Sequence, residues 1–139
     1  PVAHSFPTRR SSDLLQPSAL WGSGPDNVYM AVGFYGNDGP CIVHYDGEVW
    51  APSMMCEDSH YGYDEGGFSG FWGTAADNMY AVALEGIWHF DGESWEIALK
   101  AGTAWSNGEE YPGGTRSVFG FSEEDFFVVG AGLWHYSCD

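Results

Sequence analysis

A chain of 139 residues with 20 acidic and only four Lys or Arg side chains carries a formal net charge of −16. Such a balance excludes nucleic acid as a partner, because phosphate neutralisation needs the Lys and Arg that are missing, and it disfavours anionic membrane surfaces. No apolar run approaches the ~20 residues of a membrane-spanning helix, so membrane insertion is not expected, while neutral sugars, cations and basic protein surfaces stay open.

In chain order the first landmark is His4–Leu14, H-S-F-P-T-R-R-S-S-D-L. It resembles one reading-frame translation of a short-read sequencing adapter, so residues 1–14 are set apart as an artefact before any reasoning about fold. Residues 15–139 are then taken together. From Trp21 to Trp50 the chain reads W-G-S-G-P-D-N-V-Y-M-A-V-G and then C-I-V-H-Y-D-G-E-V-W. Trp72 opens a second copy, W-G-T-A-A-D-N-M-Y-A-V followed by G-I-W-H-F-D-G-E-S-W-E-I. A third, shorter copy runs from Phe119, F-G-F-S-E-E-D-F-F-V-V-G, to L-W-H-Y-S-C-D at Asp139.

Each copy reads as short strands separated by turns. In the second, strand one ends at Trp72 and T-A-A-D-N is a polar turn. Met79–Leu84, Ile87–Phe90 and Ser94–Leu99 follow as strands two to four. The pairs Asp46-Gly47 and Asp91-Gly92 lie between apolar runs, which predicts hairpins with two-residue type I′ turns. Helical periodicity is absent and 20 glycines are too many for helices of useful length.

Trp21 and Trp72 stand 51 residues apart, Trp72 and Phe119 stand 47 apart, and His44, His89 and His135 follow at 45 and 46. Four-strand units at roughly 40–50 residues match the period of β-propeller blades. The residues Trp21-Gly22, Asp26, Tyr29, His44-Tyr45-Asp46-Gly47 and Trp50, with Trp72-Gly73, Asp77, Tyr80, His89-Phe90-Asp91-Gly92 and Trp95, carry a resemblance. The pattern resembles bacterial secreted or surface β-propeller repeats of the form W-G-x4-D-x-Y-A-V-G … H-Y-D-G-x-x-W. That resemblance implies an all-β partial propeller: about three four-stranded antiparallel blades, near residues 18–54, 68–99 and 116–139, in an open arc whose third blade is incomplete. A longer intact protein is expected on this reading, because propellers typically close with four to eight blades.

Residues that recur in every copy are most simply explained by packing and turning. The three histidines are expected to make a structural hydrogen bond near a hairpin turn. The tryptophans are expected to anchor packing, and Asp26 and Asp77 to cap the turn before strand two. Cys41 and Cys56 lie where a disulfide is open to them in an oxidising compartment, with unpaired thiols the alternative, and Cys138 is left over either way. No Cys spacing fits a metal site.

Function is expected where the copies differ, in the connectors 34–40, 51–67 and 100–115. In up-and-down units these leave from one end and the Asp-Gly turns from the other. The connectors hold Tyr35, Asp38, Tyr61, Tyr63, Trp105 and Tyr111, the candidate ligand-binding residues. Aromatics among carboxylates suit stacking on sugar rings or gripping a Lys- or Arg-bearing protein. Asp58, Asp64 and Glu65, beside Glu57, are Ca²⁺ ligands by type, but their spacing is not that of a calcium loop. No cofactor and no catalytic set is expected from the residues. The reading is a non-catalytic binding module, extracellular, on the cell surface or in the periplasm. The alternative is an arc of a glycan-acting propeller hydrolase or lyase with its catalytic residues elsewhere.

Overall fold

In the computed structural model, residues 16–33, 39–56, 67–84, 86–100 and 114–137 are described, and every regular element among them is a β-strand. The first sheet consists of β1 (Gln16–Gly24), β2 (Asn27–Gly33), β3 (Gly39–Tyr45) and β4 (Trp50–Cys56). The second consists of β5 (Gly70–Ala75), β6 (Asn78–Ala83), β7 (Gly86–Phe90) and β8 (Trp95–Lys100). The third holds β9 (Ser117–Ser122), β10 (Asp125–Val129) and β11 (Leu133–Ser137). All pairings are antiparallel between successive strands, giving sheets of four, four and three strands and no closed barrel.

The period-two alternation of a strand gives each sheet two chemically different faces. Cross-strand register places Trp21, Tyr29 and His44 side by side on one face of the first sheet. Trp72, Tyr80 and His89 stand likewise on the second sheet, and Phe119, Phe127 and His135 on the third. We call this the aromatic face. The reverse face carries Phe71, Met79, Ala81 and Phe90 in the second sheet, and Val118, Phe126 and Val128 in the third.

Stacking follows one rule throughout: the aromatic face of each sheet packs on the reverse face of the next. Tyr29, Ala31 and Ile42 of the first sheet share a buried core with Met79, Ala81, Ala83 and Phe90 of the second, and Phe68 joins them. Trp72, Val82 and Ile87 of the second share another with Val118 and Val128 of the third. The closest inter-sheet approaches join first strands, β1 to β5 and β5 to β9. The inner strands of the second sheet are therefore covered on both sides, which accounts for the nearly unbroken apolar run of β6, while β8 is largely exposed.

One glycine contact in each interface shows how tightly these faces meet. A Cβ on Gly120 would lie 2.6 Å from a Trp72 ring carbon, and one on Gly73 would lie 3.0 Å from the Trp21 ring. Trp72 also donates its indole Nε1–H to the Gly120 carbonyl at 2.9 Å. The W-G and F-G pairs of the repeat thus have two functions. Trp21 and Trp72 point forward into the next sheet, and Gly73 and Gly120 receive them.

The hairpin turns differ from the expected two-residue type. Tyr45 pairs with Trp50 and Phe90 with Trp95, so four residues span each turn, and positive φ falls at Gly47 (98°) and Gly92 (97°). The aspartate is engaged as an acceptor. Asp46 Oδ1 takes the amides of Glu48 and Val49 at 2.9 and 2.8 Å, and Asp91 Oδ1 takes those of Glu93 and Ser94, both at 2.8 Å. Two amide donors hold each carboxylate below its ordinary pKa of 3.8.

A folded-state pKa below the unfolded one stabilises above the unfolded value and stops doing so as pH falls through the folded value. Comparison of the wild type with Asp46→Asn/Asp91→Asn is therefore expected to show a wider stability gap at neutral pH than in acid, the gap narrowing as pH falls below the ordinary carboxylate value of 3.8. Thermal melts across that range check it. A gap independent of pH would contradict it. The comparison is needed because general acidification also relieves the repulsion among the other carboxylates, which acts in the opposite direction.

Candidate functional site

Two ends and one open face of the stack offer surfaces for binding. At the Asp-Gly end, a hydrogen-bond chain crosses the first three strands of the first and second sheets, and part of it recurs in the third. His44 Nε2–H donates to Asn27 Oδ1 at 2.7 Å, and Asn27 Nδ2 donates to Ser23 Oγ at 2.8 Å. His89, Asn78 and Thr74 repeat it, with both bonds at 2.8 Å. In the third sheet Asp125 takes the asparagine's place and accepts from His135 Nε2 at 2.7 Å. Each histidine also lies against the aromatic of the neighbouring strand, with centroid separations of 4.4 Å to Tyr29, 4.7 Å to Tyr80 and 4.1 Å to Phe127. Burial raises the phenol pKa of Tyr29, and burial together with the Glu123 charge raises that of Tyr80, so both rings stay neutral packing elements.

The expected structural hydrogen bond of the histidines is present, but its partner sits in the first turn rather than the Asp-Gly turn. The expected capping by Asp26 and Asp77 is not seen. Among the described residues their carboxylates make no hydrogen bond, and the neighbouring asparagines bridge the turn instead. Asp26 and Asp77 pack beneath the glycines of the other turn: a Cβ on Gly47 or Gly92 would come within 3.0 and 2.9 Å of theirs. Among the described residues no group of three His, Cys, Asp or Glu side chains gathers to hold a metal.

At the opposite end, the connectors attach. Gly39 is paired with Cys56, so segments 34–38 and 57–66 begin side by side on the first sheet. Lys100 is paired with Gly86, and the Gly114 amide donates to the Leu84 carbonyl at 2.6 Å, fixing both ends of segment 101–113 at the β6–β7 turn. All these attachment points lie at the ladder ends remote from the Asp-Gly turns. The candidate residues Tyr35, Asp38, Tyr61, Tyr63, Trp105 and Tyr111, and the weak metal candidates Asp58, Asp64 and Glu65, lie outside the described residues. Three boundaries are corrected: Gly39 and Pro40 belong to β3, Ala51–Cys56 belongs to β4, and Lys100 ends β8, so those parts of the expected connectors are ladder rather than loop.

Two serines unnoticed in the sequence tie the sheets together at this end. Ser18 Oγ lies 2.6 Å from the Phe68 carbonyl, and Ser69 Oγ lies 3.2 Å from the Thr115 carbonyl. Each stands three residues before its tryptophan, in S-A-L-W and S-G-F-W, a signal that aligning the copies would have exposed. Arg116 occupies the corresponding place in the third copy. Cys41 is disulfide-bonded, as expected for one half of that pair, while its partner's sulfur lies outside the described side chains.

The open face is the aromatic face of the third sheet. Phe119, Phe121 and Leu133 on it are 59%, 70% and 69% exposed, and Phe119 and Phe121 meet edge to face at 5.3 Å. Its counterparts in the first two sheets are cores. Comparisons with protein-family models, with curated proteins and with solved structures find no match.

Proposed function

We propose that the chain is an arc of a β-propeller that serves as a non-catalytic binding or interaction module of a secreted or cell-surface protein. Its ligand face would be formed by the connectors that follow the ladders, residues 34–38, 57–66 and 101–113. The observation that carries this reading is the repeated stacking rule, with first strands closest together and every long connector attached at the same end. Sheets fanned about their first strands are what a propeller arc requires. A stack of sheets with its long connectors attached at one end is also how scaffolds commonly present binding segments. The disulfide at Cys41 supports an oxidising compartment.

The chemistry of the connectors narrows the ligand class. Tyr35, Tyr61, Tyr63, Trp105 and Tyr111 supply flat apolar rings, and Asp38 with its acidic neighbours supplies negative charge. Together they suit a neutral glycan or a Lys- and Arg-bearing protein surface, through stacking and cation–π contact. Screening the full chain against a glycan array and against basic peptides tests this. Any ligand found should bind at least tenfold more weakly to Trp105→Ala or Tyr61→Ala, the loss expected for an aromatic anchor. The same ligand should bind unchanged to Glu48→Gln at the opposite end. Absence of a ligand in both screens, or binding insensitive to the connector variants, would overturn the reading.

A further inference from the structure

Strands β3 and β4 are joined less regularly than their counterparts in the second sheet. Their ladder shifts register between Pro40 and Ile42 and again between Ile42 and Val43, and neither Pro40 nor Pro52 has an amide to donate. The β7–β8 ladder shifts only between Ile87 and Trp88 and contains no proline. The irregular stretch of β3–β4 lies at the end from which segments 34–38 and 57–66 leave. It also holds Cys41, which is disulfide-bonded and buried in the core shared with the second sheet.

Two other cysteines could pair with it, Cys56 and Cys138. The backbone of Cys56 is paired with Gly39, next but one to Cys41, on the adjoining strand. Ser137, the residue before Cys138, pairs instead with Asp125 at the Asp-Gly end of the third sheet. That is the opposite end of the stack, on the far side of the second sheet.

We propose that Cys41 is bonded to Cys56 and that this cross-link positions the ligand face by holding the roots of two connectors together. A disulfide keeps its two Cα atoms within about 7 Å, so these strand ends cannot part when ladder hydrogen bonds fray. The second sheet has no cysteine in the equivalent hairpin. There, regular pairing and the hydrogen bond from Gly114 to Leu84 serve instead. What the cross-link does for a ligand rests on the connector reading above, whereas the cross-link itself does not.

Digestion of the unreduced full chain at acidic residues cuts between the two cysteines, at Asp46 and Glu48. Mass spectrometry should then find Cys41 and Cys56 in one linked species that reduction separates. Hydrogen exchange next compares the wild type with Cys56→Ala, which leaves the buried Cys41 in place, and with Cys138→Ala. In Cys56→Ala the amides of residues 41–43 and 53–55 should exchange at least tenfold faster, while β6 and β7 keep their wild-type rates. Cys138→Ala should match the wild type throughout. If Cys56→Ala loses its far-UV spectrum, the same exchange comparison is made on the wild type before and after reduction by a dithiol. Cys41 found with Cys138 or as a free thiol, or exchange at β3–β4 unchanged, would overturn the cross-link. The glycan or basic peptide returned by the screens should bind Cys56→Ala at least tenfold more weakly. Unchanged affinity would overturn the positioning role and leave the connector reading standing. Screens that return nothing defeat that reading, and with it the positioning of a ligand face, while the mass and exchange results still decide the cross-link.

Discussion

Replacing Trp72 with alanine is expected to cost about 3–5 kcal/mol of unfolding free energy, at the top of the range for core truncations. Trp72 is only 8% exposed and is the largest side chain in the core between the second and third sheets. Its ring lies 5.7 Å from that of Tyr80 and 6.2 Å from that of Phe126, so alanine leaves a void bounded by two aromatics. Phenylalanine at the same position keeps most of the contact area but orphans the Gly120 carbonyl, a loss of about 1 kcal/mol for one hydrogen bond. Denaturant titrations of the two variants separate packing from hydrogen bonding. Phe119→Ala supplies the contrast, since the same repeat position is open there and little stability should be lost. Equal costs at positions 72 and 119 would contradict the stacking rule.

Met79→Ala probes the other interface and is expected to cost about 2–5 kcal/mol, as for other fully buried Met truncations. Met79 is wholly buried near the start of strand β6, where it pairs with Phe90 across the ladder and joins the core shared with the first sheet. The flexible thioether fills the space beside the glycine that receives Trp21: a Cβ on Gly73 would lie 3.0 Å from both the Met79 Cγ and the Trp21 ring. Loss of Met79 is thus expected to loosen Trp21 as well. Urea titration gives the free energy, and the shift of tryptophan emission to longer wavelength reports the loosening.

Much of the strand order was legible because three copies constrain one another. A single apolar run such as Met79–Leu84 is ambiguous by itself, but its recurrence beside Asp-Gly and before Trp resolves it, and the strand is observed at Asn78–Ala83. Turn type was not legible. The pair Asp46-Gly47 fits a two-residue turn as well as the observed four-residue one, and the choice rests on the reach of the Asp46 carboxylate to Glu48 and Val49. The Asn27 and Asn78 bridges were missed because Asp precedes Asn in both copies and is the stronger turn signal. The end of β4 was missed because Ala51-Pro52-Ser53 reads as a loop, yet pairing with His44 and Val43 carries the strand through it. For the candidate site, the sequence marked which segments vary and at which end they attach, while the arrangement of Tyr61 or Trp105 depends on tertiary contacts that no repeat constrains.

The two cores are distinct clusters, one on each side of the second sheet. Cohesion is therefore that of a short linear array, in which each layer gains from its immediate neighbours. The middle layer belongs to both junctions, so its loss removes both, whereas either outer layer can detach at the expense of one. Local opening is thus graded along the stack, easiest at the bare aromatic end and hardest in β6 and β7.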